Sequence, residues 1–256
     1  MKPRKHPPLL RHIEKLHGDQ PWGKFLDAGT GAQSISWVQD LTTEQWTAVT
    51  GSASEAERTR SAIKSPPRPH DKIIVGNWVD NNLLKGEIFD TVLADYLLGA
   101  IEGFAPCFQP YIFKRLRPLT RNMIYVKGLE PYVPISPPES KAGRLVWEIG
   151  RFRDACVLLG GNMPYREYPW EWVVDHLKSA GFDVQNVTHF SIRHRKLFVN
   201  AQIDIALHNS ERLPDRALAQ TLKNRGEMLR AKALDIIEAA GALEYGRNYV
   251  IAAKAV

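Results

Sequence analysis

The chain has 256 residues, 44% of them hydrophobic, and a formal net charge of +6. This size and composition predict one large globular domain, residues 1–256, with a core of its own. No run of residues is apolar enough to predict a membrane span or a signal peptide. The basic excess is too small and too dispersed to predict nucleic-acid binding by itself.

The first 17 residues change character along their length. They begin basic and proline-containing, and they become amphipathic around Leu9, Leu10, Ile13 and Leu16. We expect a tail that leads into a short helix, and we expect that helix to cover the ligand site.

The two cysteines, Cys107 and Cys156, lie in apolar surroundings and lack metal-ligand spacing. This pattern favours buried free thiols in a reducing compartment, the cytoplasm, and it predicts no metal site.

Residues 24–34 are the most informative stretch. Phe25 and Leu26 begin an apolar strand, Asp27 ends it, and Gly29 and Gly31 follow at once before a helical pattern. A strand, a glycine turn and a helix N-terminus together form a nucleotide cradle. Because an acidic residue repels a pyrophosphate, Asp27 favours a ligand that carries an ammonium group.

Further apolar runs at 46–50, 72–76, 89–95 and 122–127 predict four more strands. Helices are predicted between them at 34–41, 54–63 and 101–116. Unbroken apolar runs separated by helices are typical of a parallel sheet covered on both faces. Ligands of such sheets bind beyond the carboxyl ends of the strands, where Asp95, Tyr96 and Glu102 are expected.

The segment Asp27-Ala-Gly-Thr-Gly31 resembles the first motif of class I S-adenosylmethionine-dependent methyltransferases, an acidic residue followed by x-G-x-G. The resemblance implies S-adenosylmethionine as the cofactor, with Asp27, Gly29 and Gly31 at its methionine moiety. It also implies a Rossmann-like α/β fold with a doubly wound, mostly parallel sheet of seven strands, in the order 3-2-1-4-5-7-6 with the last strand antiparallel. The family's third glycine is missing, since Gln33 and Ser34 occupy the candidate positions.

The second and third motifs of the family match less evenly. Thr50 or Gly51 stands where the family has an acidic residue for the ribose, and the hydroxyl of Thr50 would bond the ribose less strongly than a carboxylate. Val75-Gly-Asn77-Trp78 resembles the third motif, which implies that Asn77 accepts from the adenine amino group. Trp78 would then offer its backbone N–H or pack on the adenine, and the alternative is a turn at Asn77 with Trp78 in the core.

Residues 89–96 resemble the fourth motif, in which a strand opens with Phe-Asp and its carboxyl end faces the transferred methyl group. This implies catalytic roles for Asp95 and Tyr96. The alternative is that Asp95 caps the next helix and Tyr96 packs. The Asn/Asp/Ser-Pro-Pro-Tyr/Phe signature of nucleic-acid amino-methyltransferases is absent, which disfavours base methylation.

Residues 129–180 exceed what a minimal methyltransferase needs. A proline-rich connection precedes a helix at 142–159, an aromatic loop at 163–170 and a helix at 171–179. We expect a substrate lid, and the alternative is a helical layer with these aromatics in its core. The expected substrate contacts are Trp147, Arg151, Tyr165 and Tyr168.

The remaining pattern predicts a strand at 182–190, an ambiguous segment at 196–207, a helix at 215–240 and a closing strand at 249–254. The helical insertion at 195–245 either packs over the same mouth as the lid or forms a homodimer contact. The basic cluster Arg193–Lys196 is typical of a solvated turn, although it leaves an RNA partner open.

The function implied is methyl transfer to nitrogen or oxygen of a small molecule that is aromatic or carries a carboxylate. A hydroxyl acceptor needs a base, and the candidates are Asp95, Glu102, His176, His189 and His194. The alternatives are an RNA or protein methyltransferase of the same fold and a non-catalytic relative.

Overall fold

The computed structural model describes residues 6–256, and its central feature is a seven-stranded sheet in the order β3-β2-β1-β4-β5-β7-β6. The sheet is mostly parallel, and the predicted Rossmann-like fold class is confirmed. The strands are β1 (Lys24–Asp27), β2 (Gln45–Thr50), β3 (Lys72–Val75), β4 (Phe89–Asp95), β5 (Thr120–Leu129), β6 (Phe182–His194) and β7 (Leu243–Ala255).

Helices alternate with these strands. They are α1 (Pro8–His17), α2 (Ala32–Val38), α3 (Ala53–Ser61), α4 (Leu97–Phe104), α5 (Gln109–Leu116), α6 (Lys141–Leu159), α7 (Trp170–Ser179), α8 (Lys196–Ser210) and α9 (Arg216–Ala240). Among the described residues, none of the helices is both long and apolar enough to cross a membrane.

The carboxyl ends of three neighbouring strands are in register. Asp27 of β1 pairs with Leu93 of β4, and Asp95 of β4 pairs with Lys127 of β5. Leu93 and Asp95 are two residues apart and therefore project from the same face of the sheet. Three charged side chains consequently come together on one face, at the edge where ligands of parallel sheets bind.

The chain divides into two compact units. The first contains Tyr168–His189, Tyr249–Val256 and the described part of Met1–Gly128, and its core includes Leu26, Val92 and Ile124. The second contains Leu129–Glu167 and Phe190–Asn248, with a core built by α6, α8 and α9. The sequence predicts insertions at 129–180 and 195–245 instead, and those boundaries and the single domain of residues 1–256 stay predictions.

The helix predicted at 101–116 is wrong, because α4 and α5 are separate. Pro106 disfavours helical backbone at the residue before it, and Cys107 has a left-handed φ of 67°. The break is held by the buried Glu102, whose carboxylate accepts from Cys107 N at 3.2 Å and from Gln109 Nε2 at 2.7 Å.

The basic cluster at 193–196 is solvated at Arg193, Arg195 and Lys196, but it is not the predicted turn. Arg193 and His194 belong to β6, and Lys196 begins α8. His194 is buried, its Nε2 lies 2.9 Å from the carbonyl of Tyr245, and burial lowers its pKa to about 4. The ambiguous segment at 196–207 is helical.

The helix expected near the N-terminus is α1. Leu10 and Ile13 are fully buried, and Glu14 accepts from the indole N–H of Trp37 on α2 at 2.6 Å. Residues 1–5 of the predicted basic tail lie outside the described residues. Coverage of the ligand site by α1 stays a prediction.

Candidate functional site

The loop between β1 and α2 is fixed to both neighbouring strands. Ala28 N donates to the carbonyl of Leu93 on β4 at 2.8 Å, and Thr30 N donates to that of Val49 on β2 at 2.9 Å. A Cβ at Gly29 would lie only 3.1 Å from the Leu97 side chain, so α4 approaches the loop closely. A side chain at position 29 would therefore be tightly packed against α4.

Gly31 has different surroundings. A Cβ at Gly31 would meet no atom within 4 Å, so this side of the loop faces open space. Ser34, which stands near the missing third glycine of the motif, is fully buried, and its hydroxyl accepts from Gly31 N at 3.0 Å. The serine therefore closes the loop on itself without filling the space beside Gly31.

Asp27 is fully buried, and neither carboxylate oxygen has a hydrogen-bond partner among the described residues. Burial raises the pKa of Asp27 to about 7, and the nearby carboxylate of Asp95 adds to the effect. The hydroxyls of Ser34 and Thr30 lie close enough to oppose this shift, although they do not reach hydrogen-bond geometry. A buried carboxylate in this state favours the arrival of a cation.

Asp95 and Lys127 form a buried ion pair. Lys127 Nζ lies 2.6 Å from Asp95 Oδ1, and the contact is an ion pair rather than an aligned hydrogen bond. Burial raises the pKa of Asp95, and the Lys127 ammonium opposes that rise. Lys127 is thus the cation that faces both Asp95 and Asp27.

Tyr96 follows Asp95 in an unusual backbone conformation. Its φ of 49° and ψ of 23° are left-handed, a costly state for a residue other than glycine. Its N–H donates to the carbonyl of Lys127 at 2.8 Å, and Lys127 Nζ lies 4.6 Å from the centre of its ring. Asp95, Tyr96 and Lys127 therefore form one connected group at the ends of β4 and β5.

Thr50 ends β2 as predicted, but its side chain is largely buried, with 6% of the residue exposed. Glu55, the nearest acid in sequence, is paired with Arg58 at 2.7 Å.

Asn77 and Trp78 both have partners within the protein. Asn77 Nδ2 donates to the carbonyl of Phe104 at 2.8 Å, and its Oδ1 accepts from Val79 N at 3.2 Å. The Trp78 indole is buried in the core of the first unit and donates to the carbonyl of Ala28 at 2.9 Å. Trp78 is therefore a core residue, as in the alternative given by the sequence, and its indole holds the β1–α2 loop through the carbonyl of Ala28.

No family model and no curated protein sequence matches the chain. Solved structures match it along most of its length. A proposed methyltransferase from Bacillus halodurans is 13% identical, with a TM-score of 0.59 and coverage of 96% of this chain and 97% of that one. Coclaurine N-methyltransferase bound to N-methylheliamine and SAH is 12% identical, with a TM-score of 0.52 and coverage of 96% and 71%. A mycolic acid cyclopropane synthase complexed with SAH is 16% identical, with a TM-score of 0.52 and coverage of 94% and 83%.

The chain has the class I methyltransferase fold. At these low identities the likeness shows the fold alone, and the neighbours include both a methyltransferase and a cyclopropane synthase. The residues predicted for the first and fourth motifs all lie at or just after the carboxyl ends of β1 and β4 in this fold. They are Asp27, Gly29, Gly31, Asp95 and Tyr96.

The residues predicted as substrate contacts fall in both units of this methyltransferase fold. Trp147 and Arg151 lie one turn apart on α6, with the Arg151 guanidinium 5.0 Å from the centre of the Trp147 ring. Tyr165 is exposed in the same unit. Tyr168 belongs to the first unit, where its ring lies 4.1 Å from that of Trp172.

Sequence reasoning missed two side chains of the candidate site, Lys127 and Ser34. Lys127 ends the apolar run predicted as a strand at 122–127, and the same signal drew attention to Asp95. Ser34 was noticed only as a missing glycine, since nothing in the sequence shows that its hydroxyl turns back to Gly31.

Proposed function

We propose that this chain is a methyltransferase that uses S-adenosylmethionine to methylate nitrogen or oxygen of a small molecule. The observation that carries the proposal is the fully buried Asp27 carboxylate, which lacks a hydrogen-bond partner among the described residues. The loop that follows Asp27 has open space at Gly31. Cys156 is buried, but Cys107 is exposed, so the prediction of two buried thiols is wrong for Cys107. Two free cysteines fit a reducing cytoplasm.

The residues present fit this cofactor. Asp27 supplies a negative charge for the ammonium of the methionine moiety, and Gly31 leaves room for that moiety beside the loop. Bound S-adenosylmethionine would supply an electrophilic methyl group on a positively charged sulfur. The protein's contribution is then to align the acceptor with that methyl group and to exclude water.

Asp95 and Tyr96 are the proposed catalytic residues. Asp95 ends β4, two strand positions beyond the residue paired with Asp27, and Tyr96 follows it. The ion pair with Lys127 fixes the Asp95 carboxylate, and the left-handed backbone of Tyr96 fixes the direction in which its ring leaves the strand. An acceptor hydroxyl or ammonium would give up its proton to Asp95 or to water.

For the acceptor we propose a flat molecule that is aromatic or carries a carboxylate. Arg151 is exposed and stacked over Trp147, which leaves its N–H groups available for a carboxylate. Tyr165 and Tyr168 are the other proposed contacts. RNA is a weaker candidate, because the basic cluster is smaller than the sequence suggests. His194 is buried and Arg193 is paired with Glu244 at 3.0 Å, which leaves the exposed Arg195 and Lys196.

The test is transfer of a labelled methyl group from S-adenosylmethionine to a panel of amines, phenols and aromatic carboxylic acids. We expect turnover with at least one acceptor class, and Arg151→Ala should raise KM for that acceptor several-fold without changing cofactor affinity. Labelling of tRNA or of a protein extract but not of the panel would favour the alternative partner. A chain that binds the cofactor but labels no acceptor would favour the non-catalytic relative.

A further inference from the structure

A second feature of the carboxyl edge lies at the ends of β2 and β3. Thr50 pairs with Val75, and Gly76 N donates to the carbonyl of Thr50 at 2.9 Å, so the two strand ends are fixed side by side. Gly51 is the first residue after β2. Thr50 and Gly51 are the two positions at which the resemblance expects an acidic residue.

The ring of Phe104 packs directly on Gly51. A Cβ at position 51 would lie 2.7–2.8 Å from three atoms of that ring, so only glycine permits this contact. Phe104 ends α4, and its carbonyl accepts from Asn77 Nδ2 at 2.8 Å. Although the ring touches the backbone on one side, Phe104 is 37% exposed.

Two more exposed apolar side chains lie at the end of β3 and just after it. Val75 is 47% exposed at the end of β3, and Val79 is 48% exposed two residues after Asn77. The Asn77 side chain joins this segment to the end of α4, because it contacts both the carbonyl of Phe104 and the N–H of Val79. Single exposed apolar residues are ordinary, but three of them on adjoining segments at a ligand-binding edge indicate a binding surface.

The polar groups nearby are already engaged. The Ser52 hydroxyl accepts from Glu55 N at 3.2 Å as the cap of α3, and the carboxylate of Glu55 is paired with Arg58. The Thr50 side chain is buried. This end of β2 therefore offers a nucleoside an apolar surface and little to hold its ribose hydroxyls.

We propose that Phe104, seated on Gly51, recognises the adenine ring of the cofactor by stacking, and that this contact takes the place of the missing ribose carboxylate. The inference rests on the proposed function, because it names the recognition of the same cofactor. Aromatic side chains stack on any base through its π-face, and removing such a side chain weakens binding by about tenfold or more.

The experiment is a calorimetric titration of the full chain with S-adenosylhomocysteine and, separately, with adenosine. Phe104→Ala should weaken both ligands by about tenfold. Gly51→Ala should weaken them similarly, because its new methyl group displaces the ring. In the Phe104→Ala background the same Gly51→Ala change should have almost no further effect, so the two losses should be strongly non-additive.

Tyr111→Ala is the matched control, because Tyr111 is an exposed aromatic on α5 of the same unit, and it should leave both affinities unchanged. Thermal unfolding verifies that each variant is folded. Adenosine and 2′-deoxyadenosine should bind within about threefold of each other, since a hydroxyl held by no charged group contributes little.

The outcomes separate the two proposals. If the wild-type chain binds neither S-adenosylhomocysteine nor adenosine, the proposed function fails and this inference fails with it. If the wild type binds and Phe104→Ala stays within twofold of it, the adenine inference alone is overturned. If the wild type binds 2′-deoxyadenosine more than tenfold more weakly than adenosine, the ribose hydroxyl matters for affinity. That result would overturn the inference that stacking takes the place of the ribose carboxylate.

Discussion

Lys127 Nζ lies 2.6 Å from Asp95 Oδ1, and the two side chains are only 3% and 9% exposed. A second buried carboxylate, Asp27, ends the strand on the other side of β4. One ammonium group therefore faces two carboxylates, and all three side chains are almost entirely removed from water. The charge balance of the candidate site depends on Lys127.

Replacing Lys127 with methionine should destabilise the protein by about 3–5 kcal/mol, because it leaves a buried carboxylate without its counter-ion. Protonation of Asp95 removes the unpaired charge. The loss of stability should therefore be largest at pH 8 and should become smaller as the pH falls. Urea unfolding at several pH values measures this dependence.

The double variant Lys127→Met/Asp95→Asn is the control. It removes both charges, so it should recover much of the stability lost in Lys127→Met. Equal stability of the single and double variants at pH 8 would contradict the account of this pair.

Asp27→Asn should stabilise the protein at high pH. The folded pKa of Asp27, about 7, lies above its ordinary value of 3.8, so the cost of burying the charge is absent below pH 4, grows as the pH rises and is complete above pH 7. The shift corresponds to at most about 4 kcal/mol at pH 8. Urea unfolding at pH 5 and pH 8 measures the difference, and the exposed Asp235→Asn should show no such trend.

Binding of S-adenosylhomocysteine should strengthen as the pH rises from 6 to 8. Its ammonium group favours the ionised form of Asp27, whereas burial favours the neutral form, so binding near pH 6 must release a proton. The affinity should rise by up to about tenfold over this range and then level off. Calorimetry in two buffers of different ionisation enthalpy measures the proton release, and Asp27→Asn should abolish it.

Trp78→Phe should weaken S-adenosylhomocysteine binding although Trp78 is a core residue. The change leaves the carbonyl of Ala28 without its indole donor and should cost about 1–3 kcal/mol of stability. Trp147→Phe is the control, because it loses an equivalent bond to the carbonyl of Pro134 in the other unit. Both variants should lose stability, and only Trp78→Phe should lose cofactor affinity.

The sheet could be predicted from the sequence because its central strands are buried on both faces and therefore read as unbroken apolar runs. Asp27 and Asp95 stood out for the same reason, since each is a charge that ends such a run. The pairing of Asp95 with Lys127 depends on the register between β4 and β5, which an apolar run does not encode. The separation of α4 from α5 depends on the buried Glu102, a tertiary interaction that helical periodicity cannot reveal.

The contacts of Asn77 and Phe104 also could not be predicted from the sequence. Asn77 matched a motif by residue type, but its amide is bound to a carbonyl 27 positions later. Phe104 gave no signal, because a phenylalanine at the end of an apolar helix predicts packing. Only the proximity of α4 to the end of β2 shows that its ring lies on Gly51.

The central claim is that the open side of the β1–α2 loop is the cofactor site, and Gly31→Val tests it most directly. Gly31 has an extended backbone that any residue adopts, and a Cβ there meets no atom, so the variant should fold normally. Its side chain would occupy the space proposed for the methionine moiety. In a calorimetric titration with S-adenosylhomocysteine, the wild type and the exposed control Ala231→Val should bind alike, and folded Gly31→Val should lose at least about a hundredfold in affinity. Unchanged binding in folded Gly31→Val, or no binding by the wild type, would contradict the account.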